Sequence, residues 1–232
     1  MDKKILKEIY AHKDINRVKI LARFFKTGRG GYGEGDKFLG MRVPVIRHLA
    51  RRFKDAPTKD IFSLLKNKYH EVRLLSLFIL AYKYKKGNKK EKKEIVDFYL
   101  ANTKYINNWD LVDLSAPHIL GNFSLENKDH NILFQLVKSK NLWQERMAII
   151  ATLSYIRKGE FGLTFKIAEV FLNHKHDLIH KATGWMLREV GKRNPVLLCK
   201  FLDQHAKIMP RTMLRYAIEK FPHHIRKEYL RK

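Results

Sequence analysis

Cysteine is nearly absent from this chain, with Cys199 the single one among 232 residues. One thiol excludes an internal disulfide and any multi-thiolate zinc site, a usage that fits a reducing compartment. Acidic residues are also scarce, 23 Asp+Glu against 48 Lys+Arg. Long apolar runs are missing: those at 77–82 and 147–151 fall far short of the roughly 20 residues that span a bilayer. The opening MDKKILKEIYAHKD interleaves charged and apolar residues, unlike a signal peptide. The expectation is a soluble cytoplasmic protein, nucleoid-associated in a bacterium. Strand-like alternation is rare as well, which disfavours a sheet.

What remains is basic and rich in core material. The formal net charge is +25 and the pI about 10.1. With 45% hydrophobic and 12% aromatic residues, intrinsic disorder is excluded. A charge this large calls for an anionic partner: nucleic acid, acidic membrane or acidic protein. A membrane surface is disfavoured by the lack of a lone basic amphipathic helix or a lipidation signal. The run KYKKGNKKEKK (83–93) reads as a solvated turn between two helices, either a solubilising loop or a phosphate contact.

Apolar residues recur at helical spacing, as in Val72, Leu75, Ile79 and Tyr82. Pro44, Pro57, Pro195 and Pro210 sit near helix starts, and Gly87, Gly159 and Gly191 near helix ends. About a dozen helices are expected. Five segments recur: EVRLL from Glu71, WDLVD from Trp109, WQER from Trp143, LIHK from Leu178 and TMLR from Thr212. Their last polar residues, Arg73, Asp113, Arg146, Lys181 and Arg215, are spaced at the period of an α-solenoid of HEAT-like repeats. Second helices of such repeats line one continuous surface, here expected to be concave and basic. The chain reads as a single all-α domain over 1–232, with a helical cap at about 1–27 and a Gly-rich loop at 27–37.

Four of the five register positions are cationic, suited to a polyanion; the fifth, Asp113, is a carboxylate. A carboxylate facing phosphates is repelled by a kilocalorie or more at ~4 Å, so a pure binding groove has no use for it. Trp109 lies i−4 from Asp113, Trp185 i+4 from Lys181, and Arg188 i+3 from Trp185, each pair on one helix face. Pro117 removes the i+4 donor for the Asp113 carbonyl and should kink that helix. Asn107 or Asn108 can cap it, leaving Asp110 structural in its first turn. Asp113 is then either a salt-bridge partner or a reacting group, and the tryptophans are either core or stacking platforms. Trp143 is assigned to the core.

Several apparent motifs are set aside. The stretch from Gly28 to Gly33 matches GxGxxG, but follows a helical segment instead of a strand. It reads as a flexible loop whose Arg29, Tyr32 and backbone amides meet a phosphate or sugar. His174, His176 and His180 lack the partners of a standard metal set and read as surface residues. Cys199 reads as buried packing.

The segments FLGMRVPVIR (38–47), NNWDLVD (107–113), WQERMAII (143–150) and GWMLREVGK (184–192) stand in the order and at the separations found in one family. Over nearly its whole length the chain resembles the DNA alkylation repair enzymes, AlkD-like alkylpurine DNA glycosylases built from HEAT-like repeats. The resemblance implies excision of cationic N-alkylated purines, 7-alkylguanine and 3-alkyladenine, from double-stranded DNA in base excision repair, without a deep base pocket. It implies a catalytic cluster of Trp109, Asp113 and Trp185, with Arg146 and Arg188 on phosphates near the lesion. No cofactor, metal, membrane or obligate protein partner is expected, and the protein is expected to be a monomer. A purine already cationic leaves without a general acid, so a fixed negative charge that stabilises the oxocarbenium ion suffices. The alternative is a non-enzymatic nucleic-acid-binding HEAT-repeat protein in which Asp113 is only an ion-pair partner. A protein scaffold of the same architecture has little use for +25.

Overall fold

The computed structural model describes residues 2–231, and no strand occurs among them. The chain divides into two compact units, Met1–Ile119 and Leu120–Lys232. In the first, α1 (Asp2–Ala11) and α2 (Ile15–Phe24) precede the Gly-rich loop. They are followed by α3 (Val43–Arg52), α4 (Thr58–Leu65), α5 (His70–Lys86), α6 (Lys89–Ala101) and α7 (Trp109–Asp113). The second holds α8 (Asn122–Asn127), α9 (Asn131–Val137), α10 (Leu142–Ala151), α11 (Leu153–Arg157), α12 (Gly162–Val170) and α13 (Asp177–Gly191), then α14 (Pro195–His205), α15 (Arg211–Ala217) and α16 (His223–Arg231).

The expected punctuation is in place. Pro44 and Pro195 occupy the first turns of α3 and α14, where a missing N–H costs nothing. Pro57 and Pro210 cap α4 and α15. The lysine-rich run turns at Gly87, after which Asn88 and Glu91 form a reciprocal capping box opening α6. All five repeated segments begin helices: α5, α7, α10, α13 and α15.

In the first unit, α5 is buried at every position from His70 to Leu80, packed by α3 and α4 and touched by α7. A helix enclosed on all sides needs apolar residues nearly all round, and its buried polar exceptions, His70, Glu71, Arg73 and Ser76, bond within the protein. In the second unit α13 is central, with α10 and α15 on its flanks and α12 and α14 behind. This succession of repeated helices, each covered by its partner, is the packing of an α-solenoid, so the all-α solenoid expectation holds. At Gly184 a Cβ would lie 2.5 Å from the Met213 carbonyl oxygen, so this glycine lets α13 and α15 approach closely. Among the described residues, no helix is long and apolar enough to cross a membrane. Cys199, expected to be buried, is half-buried on α14 beside Tyr229.

The FLGMR segment is a joint. Backbone N–H groups of Leu39, Gly40 and Met41 all donate to the buried Glu71 carboxylate, at 2.9, 2.8 and 3.2 Å. Gly40 has φ +89°, and a Cβ there would stand 1.9 Å from the Asp14 carbonyl oxygen.

Candidate functional site

Helix α7 is five residues long and presents two carboxylates with different fates. Asn108, fully buried, caps it by accepting from the Trp109 N–H at 2.9 Å. Asp110 is buried: one oxygen accepts from the Leu111 N–H and the other from His70 Nε2–H at 2.8 Å. Asp110 is therefore structural, as expected. Asp113, the last helical residue, is half-buried. The α-helical hydrogen-bond pattern runs on to Ala116, which donates to the Val112 carbonyl, and a π-helical turn then spans Pro117–Gly121. The wider turn suits a residue that has no N–H to continue the α pattern. Nearby, the buried Tyr99 hydroxyl shares a hydrogen bond of 2.7 Å with Ser115 Oγ. Burial first, and then the charge of Asp113, push its pKa far above the usual tyrosine value.

Trp109 is also half-buried, stacked on Phe25 at 5.3 Å and edge-on to Phe24 at 5.8 Å. Phe25 in turn stacks on Phe38, and both rings cover the imidazole of His70. Phe24 is 59% exposed, so this aromatic layer reaches the surface beside Trp109. Beneath it lies a charged layer. His70 Nδ1–H donates to Asp36 at 3.1 Å, opposite its bond to Asp110. The other oxygen of Asp36 accepts from Arg73 at 2.6 Å and from Asn107 at 3.3 Å. Burial opposes a charge on His70, but the two carboxylates outweigh it and hold the pKa up at about 9. Burial likewise works against ionised Asp36, but His70 and Arg73 hold its pKa down at about 2.

This network takes Arg73 out of the cationic surface row. It is 5% exposed, and it donates to Asp36, Asn107 and the carbonyls of Asn67 and Lys68. Its place in the register stands, but its guanidinium is committed within the protein, so the expected DNA contact is corrected. The Gly-rich loop, expected to be flexible, carries hydrogen bonds of its own. Its turns are hydrogen-bonded, Gly30 donating to Glu34 and Gly33 to Lys26, and its end is anchored through Asp36. Arg29 stays exposed; Tyr32 is half-buried with its hydroxyl donating to the Phe24 carbonyl.

The second unit holds the other expected residues. Arg146, on α10, expected on a phosphate, is 5% exposed and donates instead to the Leu178 carbonyl at the start of α13. Glu145 meets His174 Nε2 at 3.2 Å, tying α10 to the segment just before α13. His176 caps α13 by accepting from the Leu178 N–H, and His180 donates to the His174 carbonyl. The three histidines thus serve one helix start. Lys181 pairs with Asp177 at 2.7 Å near the surface. Trp185 is half-buried, its indole N–H donating to Glu189 at 3.3 Å. Arg188 pairs with Glu219, and Arg215 is exposed. Trp143, assigned to the core, is instead half-buried in the first turn of α10.

Sequence reasoning missed Asp36, His70 and Glu71, three charged side chains that hold the first unit's joint together. The available signal was the His-Glu pair opening the apolar run of α5, where charged residues have no solvent to face.

A profile of the family described as DNA alkylation repair enzyme matches residues 5–221. Among solved structures, the "Predicted DNA alkylation repair enzyme from Enterococcus faecalis" superposes with a TM-score of 0.72 at 16% identity, covering 91% of this chain and 98% of that one. No curated protein sequence matches significantly.

Proposed function

Because the chain belongs to the DNA alkylation repair enzyme family, we propose that it is a DNA glycosylase that hydrolyses the N-glycosidic bond of cationic N-alkylated purines in duplex DNA. The observation that carries this reading is the division of labour on α7. Asp110 is buried and bonded to protein, whereas Asp113, one turn on, is half-buried beside a half-buried indole on the same short helix. A carboxylate so placed can stabilise an oxocarbenium ion and orient the attacking water. The face of Trp109 against the sugar favours cationic character by about 0.5–2 kcal/mol. The departing base carries its own positive charge and leaves neutral, so no general acid is required.

Trp185 and Arg188 enter the same proposal through the segment 184–192, and Lys181, from the cationic register, joins Arg188 as a phosphate contact. Arg215 and Arg29 are accessible enough to join them. Tyr32 is proposed as a sugar or phosphate contact through its ring edge. Monomeric action without metal is part of the proposal.

The test is direct: methylated duplex DNA is incubated with the protein and EDTA, and the released bases are separated by chromatography. Release of 7-methylguanine or 3-methyladenine above the protein-free rate is the expected result. Tight duplex binding with no base released would favour the non-enzymatic alternative.

A further inference from the structure

Asp113 and Trp109 sit on a helix too short to hold its own direction. That helix and the Gly-rich loop meet at one buried side chain, His70. From the loop, Asp36 accepts from His70 Nδ1–H; from α7, Asp110 accepts from His70 Nε2–H. His70 itself stands at the start of α5, the most enclosed helix of the unit, and its side chain is 2% exposed. Phe25 lies on its ring at 5.0 Å and Phe38 at 4.8 Å, and Phe25 is the platform on which Trp109 stacks. The remaining charged group facing this centre is Arg73, on α5, which shares Asp36. Asn107 and Asn108, the two residues before α7, donate to Asp36 as well.

Resting on the function proposed above, we infer that His70 is a positioning residue: as an imidazolium it fastens the Gly-rich loop to the first turn of α7 and so fixes Trp109 and Asp113 for reaction. The charged form is required by geometry. Both ring nitrogens face carboxylate oxygens, so a neutral ring would set a lone pair against one of them. Loss of that proton frees either the loop or α7. The reacting carboxylate is then misplaced without any change to its own chemistry.

The experiment follows three signals through one pH titration of the whole protein. The first is the histidine Cε1–H resonances, of which there are eleven. The second is the carbon-bound indole protons of Trp109. The third is the single-turnover rate of 7-methylguanine release. One histidine, absent from His70→Gln, titrates near 9, and the Trp109 protons move with the same midpoint. The release rate falls by about tenfold or more across it, while duplex affinity stays level. Asp36→Asn keeps the shape but removes one charge, lowering all three midpoints by about one unit or more. That variant decides the matter if His70→Gln does not fold. Trp109 protons and a release rate indifferent to the His70 titration would overturn the inference and leave the glycosylase reading standing. Should the wild type release no base at any pH, the glycosylase reading fails, and the Trp109 signal alone decides whether His70 positions that helix.

Discussion

A proton on His70 is worth stability as well as position. Its folded pKa of about 9 lies above the ordinary value of 6.5, so its contribution is fully present below about 6.5 and is lost as pH rises through about 9. Between pH 7 and 10 the wild type should lose about 2–3 kcal/mol, because each pKa unit is worth 1.36 kcal/mol. Urea denaturation at the two pH values measures it, and His70→Gln should show little of the decline. Asp36, held down at about 2 from an ordinary 3.8, acts at the other end of the scale: its contribution is full above about 3.8 and is lost as pH falls from there through 2. Of this network the sequence showed only the His70-Glu71 pair at the head of an apolar run, not what the pair bonds to. His70 meets partners 34 and 40 residues away, and a basic or acidic side chain at a helix start looks the same whether it turns inward or outward. The register of Arg73, Asp113, Arg146, Lys181 and Arg215 was legible because it is periodic. Which of them reach solvent was not: Arg73 and Arg146 are buried, while Lys181 and Arg215 are accessible.

At the scale of elements, local chemistry carried most of the information. Prolines at helix starts, the Asn88 capping box and the Asn108 cap act within a few residues, so the sequence displays them directly. Pro117 was expected to kink its helix, and what stands there is a helix end at Asp113 followed by a π-helical turn. The difference depends on what packs around it, which spacing does not reveal. Gly184 makes the converse point. Its neighbour Trp185 drew attention as a functional residue, but Gly184 exists for packing, since a methyl group there would press on Met213 and Tyr216 of α15. Gly184→Ala should therefore lower stability by about 1–3 kcal/mol despite the better helix propensity of alanine, as seen by thermal melting.

For the molecule as a whole, the net charge of +25 is the dominant long-range property, and it makes DNA affinity steeply dependent on salt. Lys181→Ala and Arg215→Ala should each reduce the salt slope of duplex binding by about 1. Arg73→Ala and Arg146→Ala should leave the slope unchanged and lower the melting temperature, because their guanidinium groups bond protein carbonyls or carboxylates. Fluorescence anisotropy across a salt series separates the two pairs. Membership of the DNA alkylation repair enzyme family gives that charge its purpose, but the account turns on a single acidic side chain. Its most direct test is single-turnover release of 7-methylguanine from methylated duplex by Asp113→Asn beside the wild type. The account predicts release reduced by about 100-fold or more with duplex binding retained or tightened. An Asp113→Asn protein that frees the base at the wild-type rate would contradict it.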